Sequence, residues 1–411
     1  MSRRSRPVPS RPTRWSRPGP RRWSIAAAVV ALSVVSVACG AGAPAVPRPG
    51  AVPPPPDTDL PAIGWQWDAP RPGNVGVPAV DERGIVVSYG HLRLVALDAE
   101  GDPQWEVERL GLRDVAPRLA GDLAVAATDD GVLAVERTSG RIVWDAVLGE
   151  RANVPTVAAG LAHVTTWEGS LVALDLAGGT VAWRVRLPGL ALGPAAVYEG
   201  TVLATWESEP GSEAGLSAFD AASGREHWRL GLRRGGVSAP AVAPVVAPAA
   251  APAAGPGPPA GARPPAGTVV VVDGSVGVLG VDLASGTRRW TTVLRGAGAA
   301  EVPPVVLASG KVLVTHRLGG LALVDPADGR LAWEVVSEEG VVQRAGPAGP
   351  TPDGRFALPL EDGTLLMVKD GGVDDVLDPP GRVSGVAVAG PHLLVATRES
   401  GANALFALTG W

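Results

Sequence analysis

Residues 169–183 read Gly-Ser-Leu-Val-Ala-Leu-Asp-Leu-Ala-Gly-Gly-Thr-Val-Ala-Trp, and the spacing inside this stretch decides the fold. An apolar run ends at Asp175, Gly179 follows, and Trp183 stands four residues beyond the glycine. The phrase returns at Asp98-Gly101-Trp105, Glu136-Gly140-Trp144, Asp220-Gly224-Trp228, Asp282-Gly286-Trp290 and Asp325-Gly329-Trp333. Each copy parses as a hairpin. The short apolar run is a strand, and the acid accepts hydrogen bonds from backbone N–H groups two or three residues on. The glycine supplies the positive φ that closes the turn, and the tryptophan opens the next strand.

From Trp105 onward the Trp-to-Trp intervals are 39, 39, 45, 62 and 43 residues. A period of about 40 marks stacked copies of one supersecondary unit. The long interval contains residues 247–266, a Pro/Ala/Gly tract that is expected to be a disordered loop. A proline also lies 11 to 14 residues after each Trp, from Pro117 to Pro347. Trp67 with Pro78 fits this rule and precedes Trp105 by 38 residues, so it is expected to be a fourth strand separated from its unit. The missing strands are found at 383–388, 393–397 and 404–408, and a unit over about 345–377 keeps the strand pattern without a Trp.

The count is eight. The expectation is an all-β, eight-bladed β-propeller of four-stranded antiparallel blades over residues 63–411, closed by the N-terminal strand. Such closure leaves no long sheet edge. Trp67, Trp105, Trp144, Trp183, Trp228, Trp290 and Trp333 are the repeat residues, expected to wedge between blades. Burying one indole removes roughly 150–250 Å² from water, about 4–6 kcal/mol as an upper limit.

Residues 1–38 contain eight Arg and no acid, which leaves 28 basic against 41 acidic residues in the rest. So acidic a body repels a phosphate backbone, and no nucleic-acid partner is expected. The basic start, the apolar run over residues 25–38 and the small residues after it form a secretory signal over 1–39. At fourteen residues the run is short of the roughly 20 that span a bilayer. Ser36-Val37-Ala38-Cys39 resembles a bacterial lipobox, which would make Cys39, the sole cysteine, a lipidation site and the membrane contact an N-terminal anchor. The competing reading is ordinary cleavage near Ala41-Gly42-Ala43. Arg21-Arg22 leaves the export route open between the general and twin-arginine pathways. Residues 40–62 read as a Pro/Gly/Ala-rich tether.

The hairpin phrase resembles the pyrroloquinoline-quinone (PQQ)-type propeller repeat over roughly residues 63–411. That resemblance implies one of two groups: quinone-dependent dehydrogenases, or non-catalytic lipoproteins that help assemble outer-membrane proteins. The dehydrogenases, as the resemblance implies, need an adjacent cysteine pair, an Asp base and Glu/Asn calcium ligands. This chain has one cysteine and three asparagines, Asn74, Asn153 and Asn403. No catalytic residue, metal site or cofactor is therefore expected. The five histidines, His91, His163, His227, His316 and His392, show no ligand spacing.

One asymmetry stands out from the repeat. Trp167-Glu168 and Trp206-Glu207 occupy matching loops between second and third strands. They are the candidate partner contacts, because exposed aromatics on one face suit protein recognition. The alternative is that both rings pack over their own strand ends. The expected function is an exported, lipid-anchored, non-catalytic protein-binding or scaffolding module of the cell envelope. A small-molecule or carbohydrate sensor is the alternative, followed by a PQQ-dependent dehydrogenase.

Overall fold

The structure, a computed structural model, describes residues 62–409 apart from 71–72, 209–212, 234–238, 245–266, 274–276, 295–302, 317–319, 337–348, 361–362, 378, 380 and 399–402. The signal with Cys39, nearly all of the tether and the 247–266 tract lie outside the described residues.

Eight antiparallel sheets follow one another around a ring. The repeat dictates each sheet: in blade 3 the strands Thr156–Ala158, Leu161–Thr165, Ser170–Asp175 and Val181–Arg186 pair in chain order. Middle strands are buried at almost every position, since both of their faces meet other blades, whereas outer strands alternate between intermediate and exposed. First strands of successive blades touch one another, which places them innermost around the channel. The core is thus divided into apolar clusters between neighbouring sheets, such as Leu174, Val164 and Trp144 between blades 2 and 3. Blade 4 departs from the four-strand pattern, with Leu190–Ala191 added against the end of Thr201–Glu207.

The hairpin phrase turns out to be complementary to itself. Asp175 Oδ1 accepts from the Ala177 and Gly178 N–H groups at 3.1 and 2.9 Å, and Gly179 donates back to the Asp175 carbonyl at 2.8 Å. The carbonyl one residue past the acid remains, and the preceding blade's tryptophan fills it: Trp144 Nε1 donates to Leu176 O at 2.9 Å. The same bond joins Trp105 to Arg137 O (2.6 Å), Trp183 to Ala221 O (3.0 Å), Trp228 to Leu283 O (2.9 Å), Trp290 to Pro326 O (2.9 Å) and Trp333 to Asp370 O (2.7 Å). All of these indoles except Trp333 also cover the next turn's glycine, so that a Cβ on Gly179 would stand 2.6 Å from the Trp144 ring. One phrase supplies the wedge to the blade after it and the seat for the blade before it.

Closure requires a correction to the repeat set. Trp65, not Trp67, is the displaced wedge: its Nε1 donates to Ala99 O at 2.8 Å and its ring covers Gly101. Register gives the reason. Trp65 pairs with Ala407 in the final blade, just as Trp183 pairs with Ala173 and Trp144 with Ala134. A shift between Ile63 and Trp65 sets that alignment. Trp67, two residues further along the strand Ala62–Asp68, is 7% exposed and meets Tyr89 edge-to-face at 5.5 Å. It fills core between the last blade and the first.

The absence of a Trp from the seventh unit has a physical account. Asp375 takes the position opposite Met367 where other blades place their tryptophan. The next blade is built from both chain ends, Ala404–Thr409 pairing with Ala62–Asp68, and no turn joins those two strands. A tryptophan there would face no hairpin turn between third and fourth strands of the kind that seats the others.

Blades 1 and 2 carry an additional clamp. The nearly buried Arg137 side chain forms a forked ion pair with Asp81, in the first hairpin of blade 1, while its own carbonyl receives Trp105. The bond from Arg137 holds the Asp81 carboxyl below its ordinary pKa.

Candidate functional site

Two kinds of connection share one end of the ring: loops between second and third strands, and crossings from one blade to the next. Asp129 N donates to Gly111 O, Trp167 N to Arg151 O, and His91 N to Asp114 Oδ1, each at 2.8 or 2.9 Å and each between a loop and a crossing. This end carries the exposed side chains Leu110 (80%), Trp167 (46%) and Leu190 (47%). The three belong to neighbouring segments: Gly111 bonds Asp129, Asp129 pairs with Arg151, Arg151 lies on Trp167, and Gly169 packs against Leu190.

Trp167 is exposed but held. The guanidiniums of Arg113 and Arg151 lie over its ring, 5.2 and 4.8 Å from the centroid, and its Nε1 donates to Asn153 Oδ1 at 2.9 Å. Asn153 is in turn fixed by donating to Thr165 Oγ1 at 3.1 Å and Gly193 O at 3.2 Å. Cation–π contacts of this kind are worth about 0.5–1 kcal/mol each at exposed sites. The ring is therefore presented in one orientation, which lowers the entropy cost of using it as an anchor. Glu168 does structural work beside it, accepting the Arg151 N–H at 3.0 Å.

Trp206 does not join this surface, contrary to the sequence-based pairing of the two loops. It is 4% exposed, its Nε1 meets Ser217 Oγ at 3.1 Å, and its ring rests on Gly215 beneath Arg229. The cause is the added strand of blade 4, which extends the sheet past Trp206 and converts the position from loop to strand interior. Glu207, half-buried, pairs its backbone with Leu190. Sequence reasoning missed Leu110, Arg113, Arg151 and Leu190, all in crossings where no periodicity operates; only the exposed Leu in a short Arg/Gly-rich stretch offered a hint.

Charges on this face are largely matched. Arg109 pairs with Asp130 and Asp145 at 2.9 Å, Arg151 with Asp129 at 3.2 Å, and Asp114 faces His91 Nε2 at 3.3 Å. Burial raises the Asp114 carboxyl. Burial also opposes ionisation of Glu150, but hydroxyls of Thr166 and Ser170 and the charges of Arg184 and Arg186 prevail and lower its pKa.

The histidines do not converge. His163 is fully buried and shares the Ala221 carbonyl with Trp183, its Nε2 at 2.9 Å; His227 stands 4.0 Å from Asp220, and His392 lies in the last blade. His316 ends the strand Val312–His316. Among the described residues no group of three His, Cys, Asp or Glu is placed to hold a metal. The repeated acids, including Asp98, Asp220, Asp282 and Asp325, are spent on their turns.

The family described as outer membrane protein assembly factor BamB matches residues 62–147, 128–315 and 277–378. No curated protein matches the chain. Among solved structures, BamB from Moraxella catarrhalis superposes with a TM-score of 0.60 at 15% identity, covering 84% of this chain and 97% of that one. The quinohemoprotein alcohol dehydrogenase from Comamonas testosteroni gives 0.64 at 12% identity over 85% and 76% of the two chains. A europium-containing methanol dehydrogenase gives 0.63 at 11% identity over 83% and 85%. At these identities the superpositions establish the shared fold, while the sequence match extends through most of the ring. This chain belongs to the BamB-like, PQQ-type β-propeller family.

Proposed function

We propose that this protein is a non-catalytic binding or scaffolding propeller of the cell envelope, exported and held to the membrane through lipidated Cys39. Its docking face for a protein partner is the end bearing Trp167, Leu110 and Leu190. The observation that carries the reading is Trp167 itself: an indole 46% exposed yet fixed by two guanidiniums and an asparagine. Aromatic anchors in rigid settings, ringed by polar groups, account for most of the energy in protein interfaces. Similarity to an outer-membrane assembly factor favours protein over sugar as the ligand. A single cysteine, confined to the signal, argues against the quinone chemistry of the dehydrogenase relatives.

The test is crosslinking and pull-down from membranes expressing the full chain. Trp167→Ala is expected to lower recovery of a specific partner about tenfold or more, as loss of an interface hot spot does. Unchanged recovery would sink the docking face. Cys39→Ala should release the protein from membranes, and continued retention would remove the anchor. For the non-catalytic reading, the purified protein mixed with calcium and PQQ should show no bound-quinone absorbance; a stable quinone band would overturn it.

A further inference from the structure

Once the ion pairs around Trp167 are assigned, the guanidiniums of Arg113 and Arg118 have none among the described residues. Arg113 donates Nη1 to Ala152 O and lies against Trp167, and Arg118 donates Nε to Pro155 O at 3.1 Å. Neither has a carboxylate within ion-pair distance among the described residues. Asp129, the acid whose charge reaches Arg113, is already committed to Arg151 at 3.2 Å. Both arginines therefore spend one N–H on carbonyls three residues apart in the same crossing, from blade 2 to blade 3, and keep the rest of the fork.

Their surroundings sharpen the point. Arg118 begins the innermost strand Arg118–Ala120 and is exposed to solvent. Burial destabilises its charge, and burial together with the like charge of Arg151 does the same to Arg113. A cation without a counterion can take up an incoming carboxylate without first breaking an ion pair. The body of the protein is acidic, so this cationic notch is local, and charge complementarity selects what can fill it.

We propose that Arg113 and Arg118 form an acid-reading notch beside Trp167, and that the partner inserts an acidic peptide segment, with Asp or Glu flanking an apolar residue. The carboxylates meet the two guanidinium forks and the apolar residue meets the Trp167 ring. This rests on the docking-face reading and specifies the chemistry of its partner.

The experiment uses the purified propeller with its own N-terminal region, and a fluorescein-labelled peptide built from Ser-Asp-Leu-Asp repeats. The same peptide with Asn for Asp is the comparison. Fluorescence anisotropy should show the Asp peptide binding about tenfold more tightly or better, with an advantage that falls as salt rises. Arg113→Gln with Arg118→Gln should abolish the advantage, Arg118→Gln alone, which leaves the Trp167 clamp untouched, should remove part of it, and the double Lys variant should retain part. Thermal unfolding shows that each variant is folded. Equal binding of the two peptides, binding of neither, or an advantage that survives the double Gln change overturns the proposal. If membrane recovery depends on Trp167 while the peptides bind alike, the docking face stands and the acidic partner falls. If the Asp advantage needs both arginines but recovery ignores Trp167, the docking reading fails and the notch is an anion site alone.

Discussion

Replacing Gly179 with alanine tests whether the interlocking of turns is what joins the blades. Gly179 has φ +69°, and an added Cβ would stand 2.6 and 2.7 Å from atoms of the Trp144 ring. Gly160, in another turn of the same blade, has φ +77° and nothing within 4 Å of its added Cβ. The two substitutions share one backbone cost, about 1–2 kcal/mol for an L-residue held in the left-handed region. Only Gly179→Ala also displaces a packed ring, a further cost of about 1–3 kcal/mol. Gly160→Ala is therefore expected to destabilise by about 1–2 kcal/mol and Gly179→Ala by about 2–5. Urea unfolding followed by circular dichroism at fixed temperature reads both, with a common slope required. Placing Gly179→Ala in a Trp144→Leu background should bring its cost down to that of Gly160→Ala, because the obstructing ring is gone. Equal destabilisation by the two glycine changes, or a cost for Gly179→Ala indifferent to Trp144, would refute the wedge as the source of inter-blade cohesion.

His163 predicts a pH dependence. Burial lowers its pKa below the ordinary 6.5, so the unfolded chain takes up a proton before the folded one. Stability from this residue is full above the unfolded value and declines as pH falls through it, by up to about 1.4 kcal/mol per unit. His163→Gln should flatten the fall between neutral and mildly acidic pH in urea titrations, and an unchanged slope would exonerate the residue. For the clamp, the Asp81 side chain is 39% exposed and Arg137 only 5%, so Asp81→Ala should cost more than Arg137→Met. The first strands a buried cation, about 3 kcal/mol or more, whereas the second leaves a carboxylate that water can reach; the reverse order in melts would contradict the burial argument. Trp206→Ala should destabilise by about 3–5 kcal/mol, as loss of a buried indole does. Trp167→Ala should cost about 1–2 kcal/mol, from two cation–π contacts and one hydrogen bond. Comparable losses in differential scanning would deny the distinction between core and surface ring.

The fold was legible because a propeller repeats one strand pattern eight times, with the same turn residues in six of its units. Asp175, Gly179 and Trp183 each have a local reason to be where they are, and a repeated local reason is a period. The errors fall where the period is interrupted. At the closing strand two tryptophans stand two apart, and proline spacing favoured Trp67; only pairing with Ala407 puts Trp65 on the next turn. At Trp206 the short strand Leu190–Ala191 buries a ring that sequence treats as equivalent to Trp167. A two-residue strand has no pattern to read.

The sequence by itself determined the number of blades, their order and the residues of their turns, because these follow from side-chain alternation and turn chemistry within each unit. The arrangement of the docking face was decided by tertiary structure alone. Arg113, Arg118, Arg151 and Trp167 come from crossings, an inner strand and a loop of different units, and their spacing in the chain carries no message. Packing neighbouring blades side by side brings them together, and matching the charges around them leaves two guanidiniums without a carboxylate. Pairing is a property of distance in space, which a sequence read residue by residue does not contain.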